Sequence, residues 1–369
     1  MENKGPNVNA ETLRTWLEED KPVFILDVRP KEQRAEWKIP GSHYLDAYKR
    51  LNQGDQSVLD EVEIPPNTKV ITVCAAGRTS QIASEILRNK GVDAYSLAGG
   101  MKAWSLAWNK AIILFDDYEI IQLRRTGKGC LSYIIVSDNE AIIIDASLPA
   151  EIYENILQQN NWQIKAVMET HIHADHLSRS KQLAEESGVK VLLPVPNKIS
   201  FAYESLQGNQ QIQLGKIFIK VISTPGHTLE SICFLINDEV LLTGDTLFTN
   251  SVGRPDLKAE NDETRRRTEL LYESLQLLMN MNDNIKVLPA HINTPIDFDN
   301  KPIMATIREI KNKVSLLKLG KSEFVETILG KLPPTPPNFL SIVEKNLKGD
   351  FSDINPVDLE AGANRCAIS

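Results

Sequence analysis

The segment METHIHADHL, Met168–Leu177, contains three of the chain's six histidines and one aspartate within a stretch of six residues. An apolar run precedes this segment, which places it on a loop at the end of a predicted strand. His171 and His173 are two residues apart and project alike, while Asp175 and His176 follow on the turn. Imidazole and carboxylate groups without a thiolate suit zinc or iron better than a sulfur-ligated structural site.

Three more candidate ligands follow apolar strands further along the chain. His227 lies in STPGHT, Asp245 in LLTGDTLF and His291 in VLPAH. Neighbouring Pro and Gly residues permit the tight turns that aim such side chains into one cleft. A single histidine is usually a hydrogen-bonded or surface residue, but five of the six lie in strand-end loops, which predicts a metal site. The sixth, His43, is expected in a loop.

A second kind of chemistry is indicated by VCAAGRTS near the N-terminus. Cys74 ends a predicted strand, and a helix is expected to begin near Thr79. Loop amides and the helix N-terminus would point at the sulfur, with Arg78 beside them, and would stabilise a bound anion or a sulfur-carrying thiolate. Cys74 and Arg78 are therefore the catalytic candidates of this loop.

The elements that position Cys74 alternate between helix and strand. NAETLRTWLEED predicts a helix with Asn9 as its N-cap, and PVFILDVR and TKVITV predict buried strands. VDAYSLAGGMKAW predicts a further strand that enters a Gly-Gly turn. Strands that alternate with helices imply a parallel sheet, so residues 1–110 are predicted to form a small α/β domain.

The elements that position the histidines begin at about Ile112. YEIIQLRR and GCLSYIIVSDNEAIIIDAS predict hairpin-like strands, and helices interleave with strands further on. After Lys301 the pattern becomes helical, with Ser322 as an expected N-cap, and PPTPPN is expected to be a stiff connector. Residues 111–369 are therefore predicted to form a layered α/β sandwich with a helical C-terminal tail.

Bulk properties limit the functional classes. A length of 369 residues favours two domains, and a net charge of −8 with scattered Lys and Arg excludes a nucleic-acid surface. No apolar stretch approaches the roughly 20 residues of a membrane span, and no signal peptide is expected. Four separated cysteines without CxxC pairing predict free thiols and a cytoplasmic protein. The sequence is compatible with a monomer or a homo-oligomer.

Two family resemblances follow from these motifs. The series H-x-H-x-D-H, P-G-H, T-G-D and P-A-H resembles the metallo-β-lactamase fold family, an αββα sandwich, from about Ile112 onward. LDVRPKEQRAEWKIPGS, VCAAGRTS and LAGGMKAW resemble a rhodanese domain over Val8–Trp108, which implies that Cys74 carries a persulfide. The loop departs from the common C-x-x-G-x-R-S pattern, because Thr79 stands at the usual Arg position. WK also replaces the Gly-His that often precedes IPG.

The combined resemblance implies a persulfide dioxygenase, a family that shares TGDTLFTNSVGRPDL and is often fused to a rhodanese domain. Such an enzyme would oxidise a low-molecular-weight thiol persulfide with O2 to sulfite and thiol. It would hold one Fe(II) through three ligands: His171, His227 and Asp245. The other ligand-type side chains would surround the iron, orient its ligands or move protons: His173, Asp175, His176 and His291.

The alternative is a dinuclear zinc thioester hydrolase similar to glyoxalase II, in which the same side chains would hold two zinc ions and a bridging hydroxide. TLESIC after His227 lacks the second histidine of the GHTxGH pattern, and a sulfurtransferase would be idle beside such a reaction. A sulfur carrier with a closed structural metal site is a third reading. It is disfavoured because the motif contains no cysteine ligand and too many candidate ligands.

The partners follow from the same resemblance. Cys74 would either draw sulfur from thiosulfate and pass it to a thiol, or combine a persulfide with sulfite to give thiosulfate. Asn293 stands where glutathione-using relatives commonly have a tyrosine, so the carrier is left open between glutathione, coenzyme A and another thiol.

Some residues near the motifs have a structural interpretation. Cys130 and Cys233 lie in apolar strands and are expected to be core residues. The tail around Cys366 resembles that of some persulfide dioxygenases, which leaves this thiol either near the metal site or exposed. Arg254 and Asp256 are interpreted as a loop-holding pair or an anion site, and Asp145 as a loop-fixing carboxylate.

Overall fold

The computed structural model describes residues 6–194, 199–257, 259, 261–362 and 365–368. Its N-terminal part contains a five-stranded parallel sheet in the order β1-β5-β4-β2-β3. The strands are β1 (Asn7–Val8), β2 (Val23–Asp27), β3 (His43–Tyr44), β4 (Lys69–Val73) and β5 (Ala94–Leu97). The helices are α1 (Ala10–Glu18), α2 (Lys31–Glu36), α3 (Tyr48–Asn52), α4 (Arg78–Asn89) and α5 (Gly100–Trp104).

Both faces of this sheet are covered, which explains why its strands are continuous apolar runs. Leu26 and Val70 belong to the core on one face, and Ile25 and Ile71 to the core on the other. The predicted N-cap of α1 is confirmed, because the Asn9 carboxamide accepts a 2.7 Å hydrogen bond from the backbone N–H of Thr12. The predicted α/β class of this part is confirmed.

The remainder of the chain contains two larger mixed sheets. The first has the order β12-β11-β10-β9-β8-β7-β6, and its strands are β6 (Asn109–Leu114), β7 (Glu119–Arg125), β8 (Cys130–Ser137), β9 (Glu140–Ile144), β10 (Gln163–Met168), β11 (Lys190–Leu193) and β12 (Glu204–Ser205). The second has the order β13-β14-β15-β16-β18-β19, and its strands are β13 (Gln211–Leu214), β14 (Ile217–Ser223), β15 (Ile232–Ile236), β16 (Val240–Gly244), β18 (Lys286–Pro289) and β19 (Ala305–Thr306). Two short strands, β17 (Val252–Gly253) and β20 (Ala367–Ile368), pair with each other.

Helices cover the outer face of each large sheet. The first sheet carries α6 (Ala150–Gln159) and α7 (Ser180–Ser187), and the second carries α8 (Asn261–Met279), α9 (Ile307–Lys313) and α10 (Lys321–Gly330). One apolar core joins the two inner faces, for example through Ile135 and Phe234. The predicted αββα sandwich is confirmed. The chain ends with α11 (Phe339–Lys348) and α12 (Pro356–Glu360) before β20.

Several local expectations need correction. Ser322 is not an N-cap, because α10 begins at Lys321 after the cap residue Gly320. His43 lies in β3 rather than in a loop, and its ring stacks on Phe24 at a centroid distance of 4.2 Å. Among the described residues, the helices are all too short or too polar to span a bilayer.

A buried ion pair fastens the C-terminal tail to the sandwich. The side chains of Arg125 and Glu360 are both fully buried, and Nη2 of Arg125 lies 2.7 Å from Oε2 of Glu360. The other oxygen of Glu360 accepts a 2.7 Å hydrogen bond from the backbone N–H of Leu177 and lies 3.4 Å from Arg179. Lys128 donates to the backbone carbonyl of Glu360 at 2.7 Å. This pair therefore holds α12 against the loop that follows β10.

Replacement of Glu360 by Gln tests this fastening. Burial alone would raise the pKa of Glu360, but Arg125 and Arg179 lower it below its usual range. The carboxylate therefore contributes stability above its unfolded pKa of about 4.3, and that stability is lost as the pH falls through the folded pKa. Because Glu360→Gln leaves Arg125 buried without a counter-charge, we expect the free energy of unfolding at pH 7 to fall by about 3–5 kcal/mol.

Urea denaturation at pH 7 and in a series down to acid pH measures this effect. The difference between Glu360→Gln and the wild type should shrink in acid, where the wild-type carboxylate is protonated as well. The control is Glu273→Gln, which removes an exposed pair with Lys321 and should leave the stability close to that of the wild type. Equal effects of the two substitutions at pH 7 would contradict the role given to Glu360.

Candidate metal centre and sulfur loop

Three strand ends bring His171, His227 and Asp245 together. His171 follows β10, His227 follows β14 and Asp245 follows β16, and each side chain is at most 2% exposed. The Nε2 atoms of His171 and His227 lie 3.8 and 3.6 Å from Oδ2 of Asp245. One potential ligand atom from each of the three lies within 4.8 Å of the other two. This arrangement forms a compact face of two imidazoles and one carboxylate.

The carboxylate of this group is suited to a cation. Oδ2 of Asp245 is buried and has no hydrogen-bond partner among the described residues. Burial would raise the pKa of Asp245, but the neighbouring histidines, His291 foremost, bring it well below its usual range, so the group is ionised. Burying an ionised oxygen without a partner is costly, and a cation bound by Asp245 and both imidazoles would remove that cost. The donor set therefore fits a metal ion.

Hydrogen bonds to the distal ring nitrogens orient both histidines. Nδ1 of His171 lies 2.9 Å from the Thr170 hydroxyl, which itself donates to Asp145 at 2.9 Å. Nδ1 of His227 donates to the backbone carbonyl of Arg254 at 2.7 Å. Burial lowers the pKa of both rings, which favours neutral imidazoles with a free Nε2 lone pair. Such outer hydrogen bonds fix the tautomer and orientation of a ligating histidine.

His173, the second histidine of the motif, is held by two carboxylates. Its Nε2 lies 3.2 Å from Asp145 and 2.9 Å from Glu169. Burial would lower the pKa of His173, but Asp145 and Glu169 raise it well above its ordinary value. The loop-fixing interpretation of Asp145 agrees with these contacts. Sequence reasoning missed Glu169, although its position four residues before His173 was available as a signal.

A second group contains Asp175, His176, His291 and, unexpectedly, Cys130. His176 and His291 lie 3.1 and 2.9 Å from the two oxygens of Asp175, and Cys130 donates to Asp175 at 3.2 Å. Nδ1 of His291 also lies 2.5 Å from Asp245, so His291 links the two groups. Cys130 is buried as predicted, but it contacts the site rather than only the core. No sequence spacing indicated this, since the contact depends on a single β-bridge between Cys130 and His291.

Cys366 lies at the same centre, which resolves the alternatives that the sequence left open. Its thiol is buried and lies within 4.8 Å of ligand atoms of Asp245 and His291. Burial and the charge of Asp245 raise the pKa of this thiol well above its ordinary value. The pairing of β17 with β20 places it there, and the backbone N–H of Arg254 donates to the Cys366 carbonyl at 2.9 Å.

Arg254 has a structural role in this region. Its buried guanidinium pairs with Asp256 at 2.7 Å and donates to the carbonyls of Pro333 and Arg365 at 2.8 and 3.2 Å. The interpretation of Arg254 and Asp256 as a loop-holding pair agrees with these bonds. The same bonds tie the proline-rich connector and the tail to the loop that bears Asp245.

A cavity of about 550 Å³ opens beside His227. Ile172 and Ala174, which alternate with the ligand-type residues of the motif, form part of its wall. Phe339 and Val343 of α11 form another part. Its volume is in the range of small-molecule sites, and its lining is mostly apolar. The site can therefore admit a small organic substrate next to the proposed metal ligands.

Cys74 lies at the end of β4, and the loop that follows it surrounds its sulfur. The backbone N–H of Gly77, a residue with a φ of +88°, donates to Sγ at 3.1 Å. The Ser80 hydroxyl lies 3.3 Å from the same sulfur and 2.8 Å from the hydroxyl of Ser96. Helix α4 begins at Arg78, one residue before the predicted start. Arg78 itself is exposed, and none of the hydrogen bonds found among the described residues joins it to Cys74.

The Gly-Gly turn after β5 supports this loop from below. Backbone N–H groups of Met101 and Lys102 donate to the carbonyls of Cys74 and Ala75 at 2.9 and 3.0 Å. A Cβ atom on Gly100 would lie 2.3 Å from the Cys74 carbonyl oxygen, so only glycine permits this approach. The sequence predicted the turn but not its contact with the cysteine loop.

Family models match both parts of the chain. The model of the metallo-beta-lactamase superfamily matches residues 125–291, and that of the rhodanese-like domain matches residues 9–107. The chain therefore joins a rhodanese-like domain to a metallo-beta-lactamase domain. The metallo-beta-lactamase match ends at His291, so the tail with α11, α12 and Cys366 lies outside it.

Curated relatives and solved structures add detail. Hydroxyacylglutathione hydrolase of Francisella tularensis subsp. novicida (strain U112) is 32% identical over 170 residues, which cover 43% of this chain and 61% of that protein. The chain thus spans less than two thirds of this relative's length. A metallo-beta-lactamase from Staphylococcus aureus subsp. aureus COL has a TM-score of 0.57 at 24% identity and covers 64% of this chain and 74% of that one, which shows the shared fold. ETHE1 from Myxococcus xanthus has a TM-score of 0.54 at 26% identity, over 61% of this chain and 96% of that one.

Substitution of Thr170 by Val tests the orientation of His171. Valine keeps the shape of threonine but removes the hydroxyl between His171 and Asp145. We expect Co(II) affinity, measured by competition between the protein and a chelator for the metal, to fall about 10- to 100-fold. Thr72→Val is the matched control, because the Thr72 hydroxyl is buried in the N-terminal sheet and bonds the Ser80 carbonyl. Wild-type affinity in Thr170→Val would refute this orienting role.

Proposed function

We propose that this protein is a non-haem Fe(II) persulfide dioxygenase coupled to sulfur transfer at Cys74. In the net reaction, one thiol persulfide, one O2 and one water give one thiol, one sulfite and two protons. The observation that carries the proposal is the grouping of His171, His227 and Asp245 into one buried donor set.

Two imidazoles and one carboxylate on one face are typical of non-haem Fe(II) oxygenases, because the remaining coordination positions stay open. Fe(II) bound there would supply the one-electron chemistry that lets O2 react with sulfur. The other ligand-type groups contact neighbouring carboxylates, with His173 near Asp145 and Glu169 and His176 near Asp175, although Nδ1 of His173 and Nε2 of His176 have no hydrogen-bond partner among the described residues. We propose one iron per chain because the face of two imidazoles and one carboxylate leaves coordination positions open for persulfide and O2.

Residues around the donor set have distinct tasks in this proposal. Ile172 and Ala174 line the cavity and would limit water at the reacting sulfur. His291 lies between Asp175 and Asp245. Burial would lower the pKa of His291, but Asp175 and Asp245 raise it well above its ordinary value, which favours a ring that carries a proton on both nitrogens. His291 can therefore hold or move a proton between Nδ1, at Asp245, and Nε2, at Asp175.

The rhodanese-like domain supplies or consumes the sulfur of this reaction. Attack of the Cys74 thiolate on the outer sulfur of thiosulfate breaks the S–S bond, forms a Cys74 persulfide and releases sulfite. The reverse reaction turns the sulfite product and a Cys74 persulfide into thiosulfate. The N–H of Gly77 and the hydroxyl of Ser80 would stabilise charge on the sulfur in both directions. Arg78, exposed at the mouth of the loop, is proposed to attract the anionic substrate.

A dinuclear zinc thioester hydrolase is the second candidate. The curated relative named hydroxyacylglutathione hydrolase favours it, as does the closeness of Asp175, His176 and His291 to Asp245. One contact opposes it, because the Cys130 thiol donates a hydrogen bond to an oxygen of Asp175 that a second zinc would need. The relative's match also covers only 43% of this chain.

An oxygen electrode distinguishes the two candidates. The full chain reconstituted with Fe(II) should consume O2 and produce an equal amount of sulfite when given glutathione persulfide or coenzyme A persulfide. Asp245→Asn should abolish this consumption, because an amide replaces the anionic ligand. No oxygen uptake, together with rapid hydrolysis of S-lactoylglutathione by the zinc-loaded chain, would refute the dioxygenase.

The two sites should be separable by substitution. Cys74→Ser should abolish sulfur transfer from thiosulfate, because the hydroxyl cannot carry the persulfide, and should leave oxygen uptake with a supplied persulfide near the wild-type rate. Asp245→Asn is the reciprocal control, which should keep sulfur transfer and lose oxygen uptake. If Cys74→Ser and Asp245→Asn each reduced both activities equally, two independent sites would be excluded.

A further inference from the structure

The loop that carries the motif HIHADH receives hydrogen bonds from side chains far away in the sequence. We name residues 171–178 the metal loop. The two short helices that contact it, α11 and α12, lie in the tail beyond the segment matched by the metallo-beta-lactamase model. From these contacts we infer that Asn346 on α11 is a positioning residue of the metal centre.

The Asn346 side chain makes three hydrogen bonds to the metal loop. Its Nδ2 donates to the carbonyls of His173 and His176, at 2.9 Å each. Its Oδ1 accepts from the backbone N–H of Ser178 at 2.9 Å. Both amide donors of the asparagine are thereby used within one turn of the loop, and the residue is buried.

These bonds replace the secondary structure that the metal loop lacks. The loop lies between β10 and α7, and no backbone hydrogen bond found among the described residues ends on the carbonyls of His173 or His176. A buried carbonyl without a hydrogen-bond partner is costly, so the observed turn depends on the donors of Asn346. An apolar side chain at this position would favour a different path of the loop.

Glu360 on α12 provides a second attachment next to the first. Its carboxylate accepts from the N–H of Leu177, the residue between the two sites that Asn346 holds. Arg125, from the end of β7, pairs with the other oxygen of Glu360 and fixes its position. The backbone from His173 to Ser178 is thus held from the tail at four polar groups.

The consequence for metal binding follows from the chain path. His171 is two residues before the first carbonyl held by Asn346, and Asp175 and His176 lie within the held turn. If the turn relaxes, the Nε2 atom of His171 and the histidine–carboxylate contacts around it shift together. Asn346 therefore acts through the loop and not by contact with the metal. The inference rests on the metal centre of the proposed function but not on the persulfide reaction.

The experiment compares three variants of the full chain loaded with Co(II). Asn346→Ala removes all three bonds, and Asn346→Asp keeps the size and the acceptor for Ser178 but loses both donors. Asn338→Ala is the matched control, because the Asn338 amide bonds the carbonyl of Leu359 inside the tail. The measurements are Co(II) affinity by chelator competition and the visible absorption spectrum, which reports the ligand geometry.

We expect Asn346→Ala and Asn346→Asp to bind Co(II) about 10- to 100-fold more weakly, with altered visible bands, since loss of outer hydrogen bonds has effects of this size. Asn338→Ala should keep the affinity and spectrum of the wild type. Thermal melting of the metal-free variants separates this effect from general destabilisation. Wild-type affinity and spectrum in the Asn346 variants would overturn the inference. It would also be overturned if Asn338→Ala lost Co(II) affinity in proportion to its lower melting temperature, because general destabilisation would then explain the weaker binding.

These outcomes are distinct from a failure of the proposed function. A wild-type chain that binds Co(II) or Fe(II) but consumes no oxygen with persulfides would refute the dioxygenase and leave the role of Asn346 intact. Normal Co(II) binding by the Asn346 variants would refute the positioning role and leave the reaction unaffected.

Discussion

The structure of the candidate site depends on one buried carboxylate. Asp245 is ionised at the junction of the two large sheets, with His171 and His227 facing one oxygen and His291 facing the other. An isolated carboxylate at such a depth is strongly unfavourable, so it must be paired. The four strand-end loops that bear these residues are arranged so that cationic or metal-binding partners surround Asp245. The oxygen without a hydrogen bond marks where a metal ion completes the arrangement.

The surrounding residues keep this arrangement fixed. Thr170 orients His171, and the carbonyl of Arg254 orients His227. His173 instead contacts the carboxylates of Asp145 and Glu169. The C-terminal tail adds a further layer through α11, α12 and β20. The metal site is therefore built by the second domain together with its tail, and the rhodanese-like domain has a separate cysteine loop.

The sequence was most informative where ligand-type residues form short motifs in a recognisable order along the chain. The HIHADH motif and the order of the later motifs resemble the metallo-β-lactamase fold family, which implied the αββα fold, and the structure brings His171, His227 and Asp245 together. The alternation of apolar runs indicated the parallel sheet beneath Cys74. Cys130 and Glu360 were not recognised, because their contacts join positions 45 and 183 residues apart and depend on how strands and helices pack. Ser322 was misplaced because a glycine can begin a helix without a side-chain cap.

We propose that His171, His227 and Asp245 hold a single iron, and X-ray absorption spectroscopy of the iron-loaded chain, combined with iron analysis, can test this. We expect one iron per chain, two imidazole ligands, only nitrogen and oxygen neighbours, and loss of the iron in Asp245→Asn. A second metal scatterer at roughly 3.5–4 Å, or a sulfur ligand from Cys130 or Cys366, would contradict it.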